Sequence, residues 1–315
     1  MSYVVCTLFE KHFHRGLAAL SNSLYKKGFR GWICAGYRGN LPSWAKNAKA
    51  ITAFEWEGGK TLDVAEGLQI HFLPIETEYH FTKYKPTFML RLFDGPAKDA
   101  DGLAYLDPDI IVRCEWAFFE YWMGVGVAIV HEVISNDMPA SHPIRRGWEK
   151  LIIRSGRTIT SNISSYINGG FCGVKKANIE FLIVWSEFLE LAFSEFGDNR
   201  TNFKLNPKTT LFSVADQDAL NIAAMCCGCP ISEMGPEAMD FVNGGWTLSH
   251  ATNKPKPWNK NFLGSALRGH PPTPAEKNFW RNVTYPIVFY PKKTVVFKRF
   301  CLTAASFIGR FYSRH

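Results

Sequence analysis

The sequence predicts an α/β domain built on a mostly parallel sheet, and three features say so. Residues 3–37 read strand, helix, strand. Further apolar runs of strand length alternate with helical periodicities. A pair of acids, in "YLDPDIIV" at 105–112, falls at the C-terminal end of one such run. Open α/β sheets bind their ligands at that end. The 315 residues suit one large domain or two small ones.

The elements follow in order. Tyr3 to Leu8 is β-branched and apolar, and reads as a strand. Gly16 to Lys27 carries Leu17, Leu20 and Leu24 at helical spacing, with Gly28 as its stop. "GWICAGY" (31–37) is a second strand and "GLQIHFLPI" (67–75) a third. "KPTFMLRLFD" (85–94) is a short helix and "GLAYLDPD" (102–109) the next strand. "VGVAIVHE" (125–132) reads as a strand, whereas the turn formers and five Lys and Arg residues of 139–157 predict irregular structure. "YINGGFCGVKK" (166–176) is a strand whose glycines mark a bulge or a close ligand approach. Asn178 to Phe196 is an amphipathic helix with Asn178 as its expected N-cap. "DQDALNIAAMC" (216–226) is a helix with acids where its dipole favours them. "WTLSHAT" (246–252) is a late strand, followed by a Pro-rich stretch and a basic aromatic tail.

Composition narrows the function. At 46% hydrophobic and 20% charged residues the chain is globular. The net charge of +8 suits anionic partners such as phosphates or anionic lipid, and nucleic acid is not expected because nothing but net charge points to it. The eight cysteines lack framework spacing and are read as reduced core residues, and the CxxC of "CCGC" has no second ligand pair for zinc. Without a basic, apolar leader at its start, the chain is expected to be cytoplasmic.

Carboxylates in an apolar run are paired or bound to metal. Asp107 and Asp109 raise that question, and three other segments bear on it. "HATNKPKPW" (250–258) joins an imidazole to two lysines in a Pro-stiffened loop, a combination that suits a metal beside a phosphate. "ADQDALN" (215–221) opens a helix with acids. "INGGF" (167–171) sets an amide and two glycines inside a strand.

Together with "TLFEKHFHRGLAALSNSL" (7–24), these motifs resemble glycosyltransferase family 8, which includes glycogenin and bacterial lipopolysaccharide galactosyl- and glucosyltransferases. They run in the family's order from about residue 3 to residue 258. Departures are Phe13 for a frequent Tyr, Asn253 for the glycine of the phosphate loop, Gly169 for Ser or Ala, and Pro108 inside the acid motif. The resemblance implies a GT-A fold with a Rossmann-like nucleotide-sugar-binding domain. It further implies retaining transfer of a hexose from a UDP-sugar to a glycan or lipid-linked acceptor, in surface polysaccharide or lipopolysaccharide synthesis. By that resemblance Asp107, Asp109 and His250 would hold Mn²⁺, with Mg²⁺ the alternative. Thr7, Leu8, Lys85, Asp107, Asn253 and Lys256 would bind the nucleotide sugar, and Asn168, Asp216 and Gln217 would serve the reacting sugar. In an extended strand residues two apart share a face, so both acids are expected to reach one ion. A non-catalytic nucleotide- or sugar-binding relative of this fold is the alternative.

The transferase domain is expected over 1–285 and the tail over 286–315. The tail holds six Lys and Arg residues among aromatics and no acid. It is expected to lie as a peripheral helix on an anionic membrane surface, the alternative being a helix packed on the domain.

Overall fold

The computed structural model describes residues 3–132, 138–203, 206–207 and 210–311. Its core is a nine-stranded sheet with the order β10-β8-β9-β6-β1-β2-β5-β4-β3. At its centre β6 (Gly102–Leu106), β1 (Tyr3–Glu10), β2 (Gly31–Arg38) and β5 (Leu68–Pro74) run parallel. These strands are apolar and almost wholly enclosed, the pattern of a sheet covered on both faces. The chain leaves β1 toward β2 on one side and returns by β6 on the other. Between β1 and β6 the strand order reverses, and a crevice opens beyond their C-terminal ends.

Beyond β6 the sheet is mixed. β9 (Ile167–Lys175) is antiparallel to both β6 and β8 (Val127–His131), and β10 (Ile231–Met234) runs parallel to β8. At the far edge the short β3 (Lys49–Ala50) and β4 (Lys60–Ala65) form a hairpin absent from the sequence reading. The pairing of β8 with β9 shifts register between Ile129 and Val130, and this is the bulge expected at Gly169–Gly170.

Helices cover both faces. α1 (His14–Lys26), α2 (Lys85–Asp94) and α6 (Ala215–Cys226) match the expected segments closely. α3 (Trp116–Val125) was not expected as a separate helix. Nor was α4 (Pro143–Arg154), in the stretch read as irregular. Pro143 opens it, and the His142 side chain accepts from the Ile144 N–H. α5 (Glu180–Glu195) starts after the expected cap: Asn178 lies in a preceding 3₁₀ turn and makes no capping bond.

The acid motif is not a strand. β6 stops at Leu106, and Asp107–Pro108–Asp109 form a turn closed by a hydrogen bond from Ile110 N to Asp107 O (3.0 Å). β7 (Ile110–Val112) then pairs antiparallel with β11 (Leu248–His250), setting His250 opposite Ile110. This two-stranded ribbon carries the late "HATNKPKPW" segment onto the acid turn.

The Pro-rich stretch holds α7 (Phe262–Ala266) and α8 (Pro274–Arg281), the latter begun by a Thr273–Glu276 capping box. The tail forms α9 (Lys292–Ile308), which seats Val295, Cys301, Leu302 and Ala305 on α7 and α8. Its other side leaves Phe297, Phe300 and Phe307 exposed. Tyr312 and Arg314, counted in the tail, lie outside the described residues. No helix of the described residues is long and apolar enough to cross a membrane.

Candidate active site

The crevice at the strand reversal is a cleft of about 690 Å³. That lies within the ~300–1,000 Å³ typical of small-molecule sites. Its floor is the acid turn, held from below by α1: a Cβ on Gly16 would sit 2.2 Å from Pro108 O, so only glycine lets the helix approach so closely.

On that floor the ligand atoms of Asp107, Asp109 and His250 lie within 4.8 Å of one another. His250 Nε2 is 3.3 Å from Asp109 Oδ1 and 3.8 Å from Asp107 Oδ2. Two carboxylates and one imidazole, converging this closely, fit a single divalent ion of the Mn²⁺ or Mg²⁺ class. The expectation for the two acids rested on strand alternation; the tight turn brings them together instead. Burial works against the charge of Asp109, but His250 and Lys256 outweigh it and hold this carboxyl well below its ordinary pKa.

The walls come from several segments. Leu8, Phe9 and Glu10 end β1 along one side. Lys85, at the start of α2, is buried and central. Its ammonium lies 3.1 Å from Asp107 Oδ1, 2.8 Å from Gly169 O and 3.9 Å from Asp216 Oδ2. Asn168 uses its side chain on the bulge: Oδ1 accepts from Gly170 N (2.8 Å) and Nδ2 donates to Glu132 (2.6 Å). Gln217 Oε1 accepts from Gly169 N (2.9 Å). Gly170 must be glycine, since a Cβ there would meet His250 Cε1 at 2.5 Å. At Gly169 a Cβ would find only ordinary contacts of 3.7 Å or more, so the Ser or Ala seen at that place in the resembling family would fit.

The structure thus gathers Leu8, Lys85, Asp107, Asp109, Asn168, Asp216, Gln217, His250 and Lys256 in one cleft. Two expected residues fall outside it. Thr7 is wholly enclosed within β1, where the sheet is covered on both faces, and the cleft wall begins at Leu8. Asn253 points to a neighbouring hollow, while Thr252 and Lys254 on either side of it line the cleft. Lys256 is turned onto Asp109 Oδ2 (2.6 Å) and the carbonyl of Ala251 (2.6 Å) at the cleft's edge. Sequence reasoning missed His80, Phe203 and Glu132. None belongs to a local motif, and only the fold brings them near the others.

Two acids of α6 are perturbed. Burial raises Asp216 to about 6, with Lys85 opposing and Asp107 adding to the rise. Burial likewise raises Asp218 to about 7, although it accepts from Val214 N and the Tyr166 hydroxyl, both at 2.7 Å. For Asp216 the folded state binds a proton more tightly than the unfolded one. Its ionisation therefore costs stability as pH rises from about 4 to about 6, and the full cost is present above. Asp216→Asn removes that cost at the same shape. We expect the variant to be more stable than the parent at pH 8, by on the order of 1–3 kcal/mol. The gap should close by about pH 4. Urea denaturation at several pH values checks this; a gap that widens on acidification would contradict the assignment.

No protein-family model matches the chain, and no curated protein does. Solved structures do. The WbbM bifunctional glycosyltransferase superposes with a TM-score of 0.54 at 14% identity, over 95% of this chain and 51% of its own. GlyE from Streptococcus pneumoniae TIGR4 gives 0.53 at 12% identity, over 96% of this chain and 64% of its own. The galactosyltransferase LgtC, solved with donor and acceptor sugar analogues, gives 0.50 at 13% identity, over 92% and 98%. The chain therefore spans about half of WbbM and under two thirds of GlyE. These likenesses show the fold, which is that of the GT-A glycosyltransferases.

Proposed function

We propose that the chain is a retaining, metal-dependent glycosyltransferase of family 8, moving a hexose from a UDP-sugar to a glycan or lipid-linked acceptor. One observation carries this reading: in a GT-A cleft, the acid turn and a histidine from the opposite end of the chain converge with ion-ligand geometry.

Asp107, Asp109 and His250 would hold the ion, with Mn²⁺ favoured by the imidazole. When bound, it supplies Lewis acidity to the diphosphate leaving group. Lys256, at the cleft's edge, carries the charge that the leaving phosphate needs as the anomeric bond breaks. Leu8 and its neighbours flank the place for the nucleobase, while Thr7 and Asn253 support that wall and loop without touching the ligand. Lys85, Asp216, Asn168 and Gln217 surround the place for the donor sugar. Gln217 is held by the Gly169 N–H and by a side-chain hydrogen bond with Tyr166, so its position on the cleft wall is set in advance. Among the described cleft residues the carboxylates of Glu10, Asp107, Asp109 and Asp216 are already engaged by cations or withdrawn by burial. This favours attack of the acceptor hydroxyl on the face from which UDP leaves, with the hydroxyl proton passing to the departing phosphate oxygen.

Retention is the expected stereochemistry. NMR of the first-formed product from a UDP-α-hexose should show an α linkage; a β linkage would place the enzyme in an inverting class.

We assign residues 1–285 to the transferase domain and the remainder to a tail that rests on an anionic membrane surface, so that the enzyme works peripherally at the cytoplasmic face in surface polysaccharide synthesis. The bare aromatic side of α9 supports this placement.

A further inference from the structure

Between α8 and α9 lies a groove of about 510 Å³ with no part in the cleft. Its charged lining is Lys277 and Arg281 on α8, with Arg299 and Arg310 from the tail. No carboxylate lines it, and none of the four makes a salt bridge among the described residues. Arg299 donates to Trp280 O (3.1 Å) and Arg281 to Asn278 Oδ1 (3.3 Å), so both guanidiniums are anchored with N–H groups to spare.

The groove borders an apolar stripe. At about 3.6 residues per turn, Val296, Phe297, Phe300, Phe307 and Phe311 fall on one outward strip of the tail. Their exposures of 58–75% are far above what a soluble surface leaves bare in a row. Arg299, Thr303, Ser306 and Arg310 fall on the flank between that strip and the packed face. A row of cations and hydroxyls beside a row of phenylalanines matches the depth profile of a lipid leaflet, phosphate next to acyl chain.

We propose that this groove binds the phosphate headgroups of anionic lipids while the phenylalanine strip enters the acyl boundary. The site presupposes the membrane contact proposed above for the tail and gives it a defined headgroup pocket.

Co-sedimentation of the full chain with phosphatidylcholine vesicles containing phosphatidylglycerol, at about 0.1 M salt, where charges more than about 10 Å away are largely screened, separates the two ideas. Arg281→Gln/Arg299→Gln should weaken binding roughly 30-fold, as expected for two basic groups at an anionic surface. Lys292→Gln/Lys293→Gln removes the same charge from the same tail outside the groove, and should weaken binding only a few-fold. Lys277→Gln/Arg310→Gln touches neither anchoring hydrogen bond and should show the same large loss, which keeps the test decisive even where the first pair unfolds the tail. Equal losses for inside and outside pairs would mean that net charge alone acts, and would overturn the groove while keeping the membrane contact. No binding by the parent protein would overturn the membrane contact itself. Self-association that Phe300→Ser abolishes, without vesicle binding, would assign the face to a second copy of the chain and also overturn the proposal.

Discussion

Asp109→Ala is expected to lower transfer by about a thousandfold or more, the scale on which loss of a preorganised charge in a closed site acts. Asp109 is only 6% exposed, and its two oxygens are already divided between His250 (3.3 Å) and Lys256 (2.6 Å). Alanine removes the proposed ion ligand and leaves the Lys256 ammonium without its acid. Asp109→Asn tests charge apart from shape: it keeps the volume and one acceptor, yet should lose nearly as much activity. Titration calorimetry with Mn²⁺ reads the same change without turnover, and both variants should lose the binding heat. Activity at the parent rate without added metal would remove Asp109 from the ion site.

Lys85→Met should be the most damaging change to stability. The Lys85 ammonium is the shared counter-charge of Asp107 and Asp216, and it also donates to Gly169 O on the glycine bulge. Removing one partner from a buried ionic cluster costs about 3–5 kcal/mol. With its cation gone, Asp216 should hold its proton to still higher pH, so the variant should regain stability as the solution is acidified below neutrality. A urea midpoint near that of the parent at pH 7.5, or a loss that deepens at pH 5, would show that Lys85 does not neutralise this pair.

What the sequence revealed and what it hid follow from the same physics. Buried parallel strands leave near-continuous apolar runs, so β1, β2, β5 and β6 could be read directly. The edge hairpin of β3 and β4 is short, polar and half exposed, and leaves no such mark. α4 buries Arg145, Trp148, Leu151 and Ile152, a helical spacing concealed by the turn formers before it. At the site, the cluster that could hold an ion was legible because Asp107, Asp109 and His250 carry their chemistry in short motifs. Their geometry was not, because a turn can imitate a strand in one dimension. Glu132, His80 and Phe203 arrive from separate loops, and no local pattern announces them. The enclosure of Thr7 was hidden for another reason: strand alternation names a face but not where along the strand the cleft begins.

The central claim is a metal-assisted UDP-sugar site, and thermal unfolding with nucleoside diphosphates addresses it without any knowledge of the acceptor. A ligand at 100 times its Kd adds about 2.7 kcal/mol. For a chain of this size that raises the Tm by roughly 4 °C. UDP with Mn²⁺ should produce this rise in the parent protein, UDP with EDTA should produce little of it, and Asp109→Ala should abolish it. A comparable rise with GDP or CMP and none with UDP plus Mn²⁺ would contradict the account.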